Sequence, residues 1–276
     1  MATAAAMRAY LRDVIGLADS AGTNPNARRD AVRDEGLDSI QDFVEFDDDG
    51  IRTLCASVRK PGGTIVDPTD PTRRIQNPGI SIPAIAEKRM KWAAYGARMY
   101  DLIGRPITAD GLSRARLREF EDHFRVVNEH EDPENLPTIS KTFGIMKALD
   151  ALPVHLRERY GVCKVPLAYI IRKDAEPIAL QQLGDDKITS ANYDSIIDEM
   201  IVTVQHTGPN YAEDNAKVFQ VISNIVAGSS HEASIKAHRR ARDGRAAYLA
   251  LQLHNMGSSK WDRIIDECEN YLLKRE

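Results

Sequence analysis

Three groups of residues have the types from which a reactive or binding site is built. The acidic run Phe46 to Gly50, FDDDG, invites a calcium reading, because carboxylates around a glycine turn are what Ca2+ takes. An EF-hand loop with its glycine at Gly50 needs a bidentate glutamate six residues on, where this chain has Ala56. Its first ligand position would be Glu45, also atypical, so the run reads as an acidic turn capping a helix from Asp49. The seven histidines, His123, His130, His155, His206, His231, His238 and His254, include two pairs seven apart, His123/His130 and His231/His238. Zinc ligands on one helix sit three or four apart and need further ligands, so these read as surface or capping histidines. Ser229-Ser230-His231 sets serine beside histidine without an orienting acid or an oxyanion hole, and the two serines read as helix caps.

The segment His231 to Arg245 is different. Lys236, Arg239, Arg240, Arg242 and Arg245 stand there against Glu232 and Asp243, a local charge of +3. That charge suits phosphates or an acidic partner surface; the plainer alternative is a solvated helix face. The sequence has no P-loop, no G-x-G-x-x-G and no G-x-S-x-G. No catalytic residue, cofactor, metal or small-molecule substrate is expected, and an enzyme is the least favoured class.

Composition narrows the classes further. The 276 residues are 42% hydrophobic and 28% charged, with a net charge of −4 and a pI near 6.0. A whole-chain basic field is absent, so any RNA binding by this chain is expected to be weak. Cys55, Cys163 and Cys268 are far apart and odd in number, which favours a reducing compartment. No secretory pattern opens the chain and no apolar run approaches a membrane span, so a cytoplasmic, or else nuclear, location is expected and no membrane partner.

The periodicity that must position these residues is helical throughout, giving an all-α class. Met7, Leu11, Val14, Ile15 and Ala18 share a face. Ala27 to Glu35 follows, stopped by Gly36, and then come short helices carrying Leu37, Ile40, Phe43 and Val44, and Ile51, Leu54, Cys55 and Val58. Residues 1–60 thus form a small helical bundle. Residues 61–81 hold four prolines and three glycines and read as an exposed linker without regular structure. From 82 to 276 a larger multi-helix bundle is expected. It has one helix lined by Trp92, Tyr95, Met99 and Leu102, a charged helix from Ser113, and an apolar one over Ile139 to Leu152 continued to Tyr160. Val165 to Ile171 is ambiguous between helix and strand. Helices over Ala191 to Val204, Tyr211 to Val226 and His231 to about Met256 follow, then a last one from Ser259.

Two resemblances arise from these elements. EGLDSIQDFVEFDDDGIRTL resembles the SAM-like and helix-hairpin-helix families, but the first 60 residues carry eight basic against eleven acidic residues, which suits protein interaction better than DNA. RDGRAAYLALQLHNMGSSKWDRIIDECENYLLKRE resembles the Gag capsid region of copia-class LTR retrotransposons. Ala246-Ala247-Tyr248 and Leu251 stand on one helix, Gly257-Ser258-Ser259 form the break, and Trp261 opens the next helix. IAEKRMKWAAYGARMYDLIGR, KTFGIMKALDALPVHLRERYGV and YAEDNAKVFQVISNIVAGSSHEASIK extend that likeness over most of the chain. The resemblance implies a capsid-like structural protein, a homo-oligomer that self-associates through helical surfaces around element RNA. The zinc knuckle and basic tail common in Gag proteins are not in this sequence, and the chain stops within a charged helix, as if truncated. RNA contact would then be weak or depend on a downstream segment. The residues expected to pack or assemble are Tyr248, Leu251, Trp261, Ile264 and Ile265, in a hairpin closing near residues 256–259. The alternative is a helical adaptor or nucleic-acid module acting through the N-terminal bundle.

Overall fold

The structure, a computed structural model, describes residues 2–20, 24–62, 64–67, 70–76, 79–172 and 196–256. Met7, Leu11 and Ile15 recur at four-residue spacing and are buried. They place one face of α1 (Ala2–Tyr10) and of the wider π-helical turn Leu11–Ile15 in the core. Gly16 ends that run at φ 91°, its N–H bonding the Leu11 carbonyl, so the helix closes before Ala18, which the sequence reading set on the same face. The second helix, α2 (Ala27–Asp34), stops before Gly36 at φ 105° as its sequence predicts. A 3-10 turn, Gln41–Glu45, buries Phe43. In α3 (Asp48–Arg59), Ile51, Leu54, Cys55 and Val58 face inward. The acidic turn does cap a helix, but the cap is Asp47, whose Oδ1 accepts the Gly50 N–H at 2.7 Å.

Residues 61–81 correct the sequence reading. They contain an antiparallel hairpin of β1 (Thr64–Asp67) and β2 (Asp70–Gln76), with Ile65 opposite Ile75 and Val66 opposite Arg74. The β-branched Thr64, Ile65, Val66, Thr72 and Ile75 outweigh the prolines, because a two-stranded ribbon leaves each strand an edge that needs no donor. Nor is this segment the domain boundary. Two compact units divide the chain instead, Met1–Asn128 and Glu129–Glu276. The reason lies in α4 (Ala84–Leu102), which packs on α3 and on the turns Leu11–Ile15 and Gln41–Glu45. Arg89 donates to the Ile15 carbonyl, Arg98 to the Phe46 carbonyl, and Tyr10 to the Leu112 carbonyl. The first 60 residues therefore share one core with the helices beyond the hairpin. At the centre of α4, Gly96 lets the Phe120 ring of α5 (Arg114–Glu129) reach the helix backbone; a Cβ there would collide with it.

The second unit opens with an extended segment pinned by the Ile139 N–H on the Ile225 carbonyl, 2.8 Å. Next come α6 (Ile145–Arg157), with Pro153 inside it, the 3-10 turn Leu167–Ile171, α7 (Ile196–Thr203) and α8 (Gly208–Val226). The ambiguous run from Val165 is thus neither strand nor α-helix. α9 (Glu232–Ile235) and α10 (Gly244–Met256) complete the described residues. α10 lies against α8, α9, α6 and the Leu167–Ile171 turn. The fold is all-α, with the single hairpin as the described exception. No helix among the described residues is long and apolar enough to cross a membrane.

Candidate interaction surface

The surface is built from α8 outward. YAEDNAKVF puts Asp214 on the same helical face as Val218, Val221 and Ile225, so an acid sits within an apolar stripe. Asp214 is fully buried. Its oxygens accept the N–H of Val162 at 2.6 Å, the N–H of Cys163 at 3.4 Å and the hydroxyl of Tyr169 at 3.1 Å. The Lys217 ammonium lies 3.7 Å away. This shell of donors closes the Gly161–Val165 loop onto α8. Burial, then the nearby Asp214, pushes the Cys163 thiol up to about 11 and raises Tyr169 as well. Cys163 is therefore held as a thiol and packs as a small apolar group.

The next residue, Asn215, fixes the start of α10. Its Oδ1 accepts the Arg245 N–H at 2.9 Å, and its Nδ2 donates to Asp243 Oδ1 at 3.1 Å. Asp243 Oδ1 also accepts the Ala246 N–H at 2.9 Å, capping α10. Gly244 rests directly on α8: a Cβ there would lie 2.5 Å from the Asn215 carbonyl oxygen and the Phe219 nitrogen.

This knot overturns the single helix expected from His231 to Met256. The chain runs instead through α9, a short 3-10 turn Lys236–His238, and a bend with Arg242 at φ 51°. Asp243 and Gly244 favour a new helix start over continuation. The basic residues consequently lie on an elbow rather than on a helix face. Lys236, Arg239, Arg240 and Arg242 are exposed, and none is in an ion pair with a described carboxylate. Arg245 differs: its guanidinium donates to the Ile170 and Arg172 carbonyls at 2.9 and 2.6 Å, so it clamps the end of the Leu167–Ile171 turn to the start of α10 instead of standing free on the elbow.

α10 carries the two packing residues that fall within the described range. Tyr248 and Leu251 are buried, and Leu251 meets Ala148, Leu149 and Leu152 of α6. The other side of α10 is also apolar, with Leu249 45% and Leu253 71% exposed. Trp261, Ile264 and Ile265, the break Gly257-Ser258-Ser259 and the hairpin expected near residues 256–259 lie outside the described residues.

The serines and histidines take structural places. Ser229 Oγ donates to the Val226 carbonyl at 2.7 Å, closing the end of α8. The Tyr95 hydroxyl and His123 Nδ1 are 2.9 Å apart inside the first unit, and His231 packs edge-on against His254. His206 Nε2 lies 2.8 Å from the Tyr169 carbonyl, and its ring stacks on Tyr211 at 5.0 Å. Burial, with Arg172 and Arg245 nearby, holds the His206 imidazole down to about 4.

Beside the elbow lies a cavity of about 550 Å³. Phe219, Ala227, Ala233 and Ile235 give it apolar walls; Ser223 and Glu232 add polar atoms, and Lys236 and Arg239 border it. Neither sequence reasoning nor periodicity signals this recess, since it exists only because α9 folds back beside α8. Comparison with protein-family models, with curated proteins and with solved structures found no match.

Proposed function

We propose that this chain is a structural protein of the retrotransposon Gag type, which self-associates through helical surfaces of its second unit around element RNA. The observation that carries the reading is the double apolarity of α10. One side, with Ala247, Tyr248 and Leu251, fills the unit's own core. The other presents Leu249 and Leu253 to solvent one turn apart, and the adjacent α6 exposes Met146 and Val154, the latter 61%. Isolated exposed aliphatic residues are ordinary, but a helical pair at i and i+4, with two more exposed on a helix it packs against, suits an association surface. The exposed basic elbow supplies a place for RNA phosphates close in sequence to that surface.

Light scattering and sedimentation velocity across a concentration series test the proposal. Reversible higher species should form in the wild type and recede in a Leu249→Asp/Leu253→Asp variant whose melting temperature is unchanged. A strict monomer at every concentration and salt level would refute it.

A further inference from the structure

We infer that the cavity beside the elbow is a single-stranded RNA subsite, taking one unstacked nucleobase with its flanking phosphates on Lys236 and Arg239. The inference rests on the RNA half of the proposed function and does not require self-association. Its volume, about 550 Å³, lies in the range that holds a small molecule or a flat ring with its attached sugar. The walls are of the kind a base's faces prefer, an aromatic ring at Phe219 with Ala227, Ala233 and Ile235. Two groups can read a base edge. The Glu232 carboxylate accepts from an exocyclic amine, and the Ser223 hydroxyl donates or accepts.

The charges select the ligand's other half. Lys236 and Arg239 border the cavity and are exposed, and the cationic run continues past it through Arg240 and Arg242. A recess with one cationic border followed by further cations along the chain fits a base with a phosphate backbone leading away from it. An acidic peptide would use the same cations but would bring its carboxylates against Glu232. A duplex keeps its bases stacked inside and has nothing to insert, so a single strand is the form that fits.

Fluorescence anisotropy with the full chain tests this at concentrations below self-association. Three probes are compared: a labelled single-stranded RNA of mixed sequence, an abasic strand of equal length, and a duplex. Titrations run at about 50 mM and about 150 mM salt, because phosphate contacts weaken steeply over that range. The intact strand should bind about tenfold more tightly than the abasic one, the size of one base's stacking. Ala233→Trp, which fills the recess from an exposed position, should erase that advantage and keep the salt-dependent remainder. Ala227→Trp repeats the test from the opposite wall should the first variant fail to fold. Arg239→Glu should weaken all RNA binding and reduce the salt slope by about one.

Equal affinity for intact and abasic strands, preference for the duplex, or displacement of RNA by polyglutamate at equal charge would each overturn the subsite. Light scattering on the same samples separates the two proposals. A monomer with base-dependent binding removes the particle and keeps the subsite; an assembling protein without base dependence does the reverse.

Discussion

Arg29 of the first unit and Asp214 of the second are both buried charges, and the two are stabilised by opposite chemistry. In the first, Arg29 is 3% exposed and gathers acceptors: the carbonyls of Leu17 and Pro25, the side chain of Asn26, and Asp19 at 2.7 Å. In the second, Asp214 is fully buried and gathers donors from Val162, Cys163 and Tyr169. Both tie a loop to a helix. Their ion-pair partners, Asp19 at 64% and Lys217 at 43% exposed, can both return to water; the difference is that Asp214 also holds the Cys163 N–H and the Tyr169 hydroxyl in buried bonds. A buried group whose partners can be rehydrated is cheaper to lose than one whose partners are stranded. The elbow Lys236–Arg242 is the third case, cations that bury nothing and so remain available to a partner.

The largest effect expected from this contrast is at Asp214. Asp214→Ala strands two N–H groups and a tyrosine hydroxyl, and should destabilise the second unit by about 3–5 kcal/mol in urea melts. Arg29→Ala should cost less, about 2–3 kcal/mol, because its ion-pair partner Asp19 already has access to water. If the order is reversed, the accessibility of the partners is not what separates the two sites.

The neighbourhood of Asp214 gives a pH test. The His206 imidazole has a folded value of about 4 against an ordinary value near 6.5. The unfolded chain therefore takes up a proton that the folded chain refuses between those limits. Stability should be full above about pH 6.5 and decline as pH falls toward about 4, by roughly 2–3 kcal/mol. His206→Gln, which keeps a donor for the Tyr169 carbonyl, should flatten that part of the profile. An unchanged slope in the variant would assign the loss to other groups, such as His155, whose burial lowers it in the same direction.

Gly244→Ala should follow, at about 1–3 kcal/mol, because the added methyl meets the backbone of α8 rather than a side chain that can yield. The smallest effect is expected on the elbow. Arg240→Glu should shift stability by no more than about 0.5 kcal/mol while weakening RNA binding. A large loss of stability there would show that the elbow is held by its charges instead of by Asn215 and Asp243.

Local patterns were enough to determine several features from sequence. The all-α class, the inward face of α3 and the stop at Gly36 follow from helical spacing and from what glycine allows. The weakness of calcium and zinc readings at FDDDG and the histidines also follows from spacing alone. What the sequence left open was decided by contacts between distant residues. The hairpin in 61–81 depends on cross-strand pairing, which outweighs proline content when each strand keeps a free edge. The boundary after Asn128 depends on α4 packing against elements that end at or before Arg59, across the hairpin, a fact no composition shift reveals. The elbow depends on Asn215, 28 residues before Asp243, supplying the bond that makes a helix start there more favourable than continuation. The spacing that sets Asp214 within an apolar stripe does not mark it as buried, because its donors come from a loop some 50 residues away in sequence. A charge can be buried only where the folded chain brings enough partners to replace water, and which partners arrive is a property of the tertiary structure.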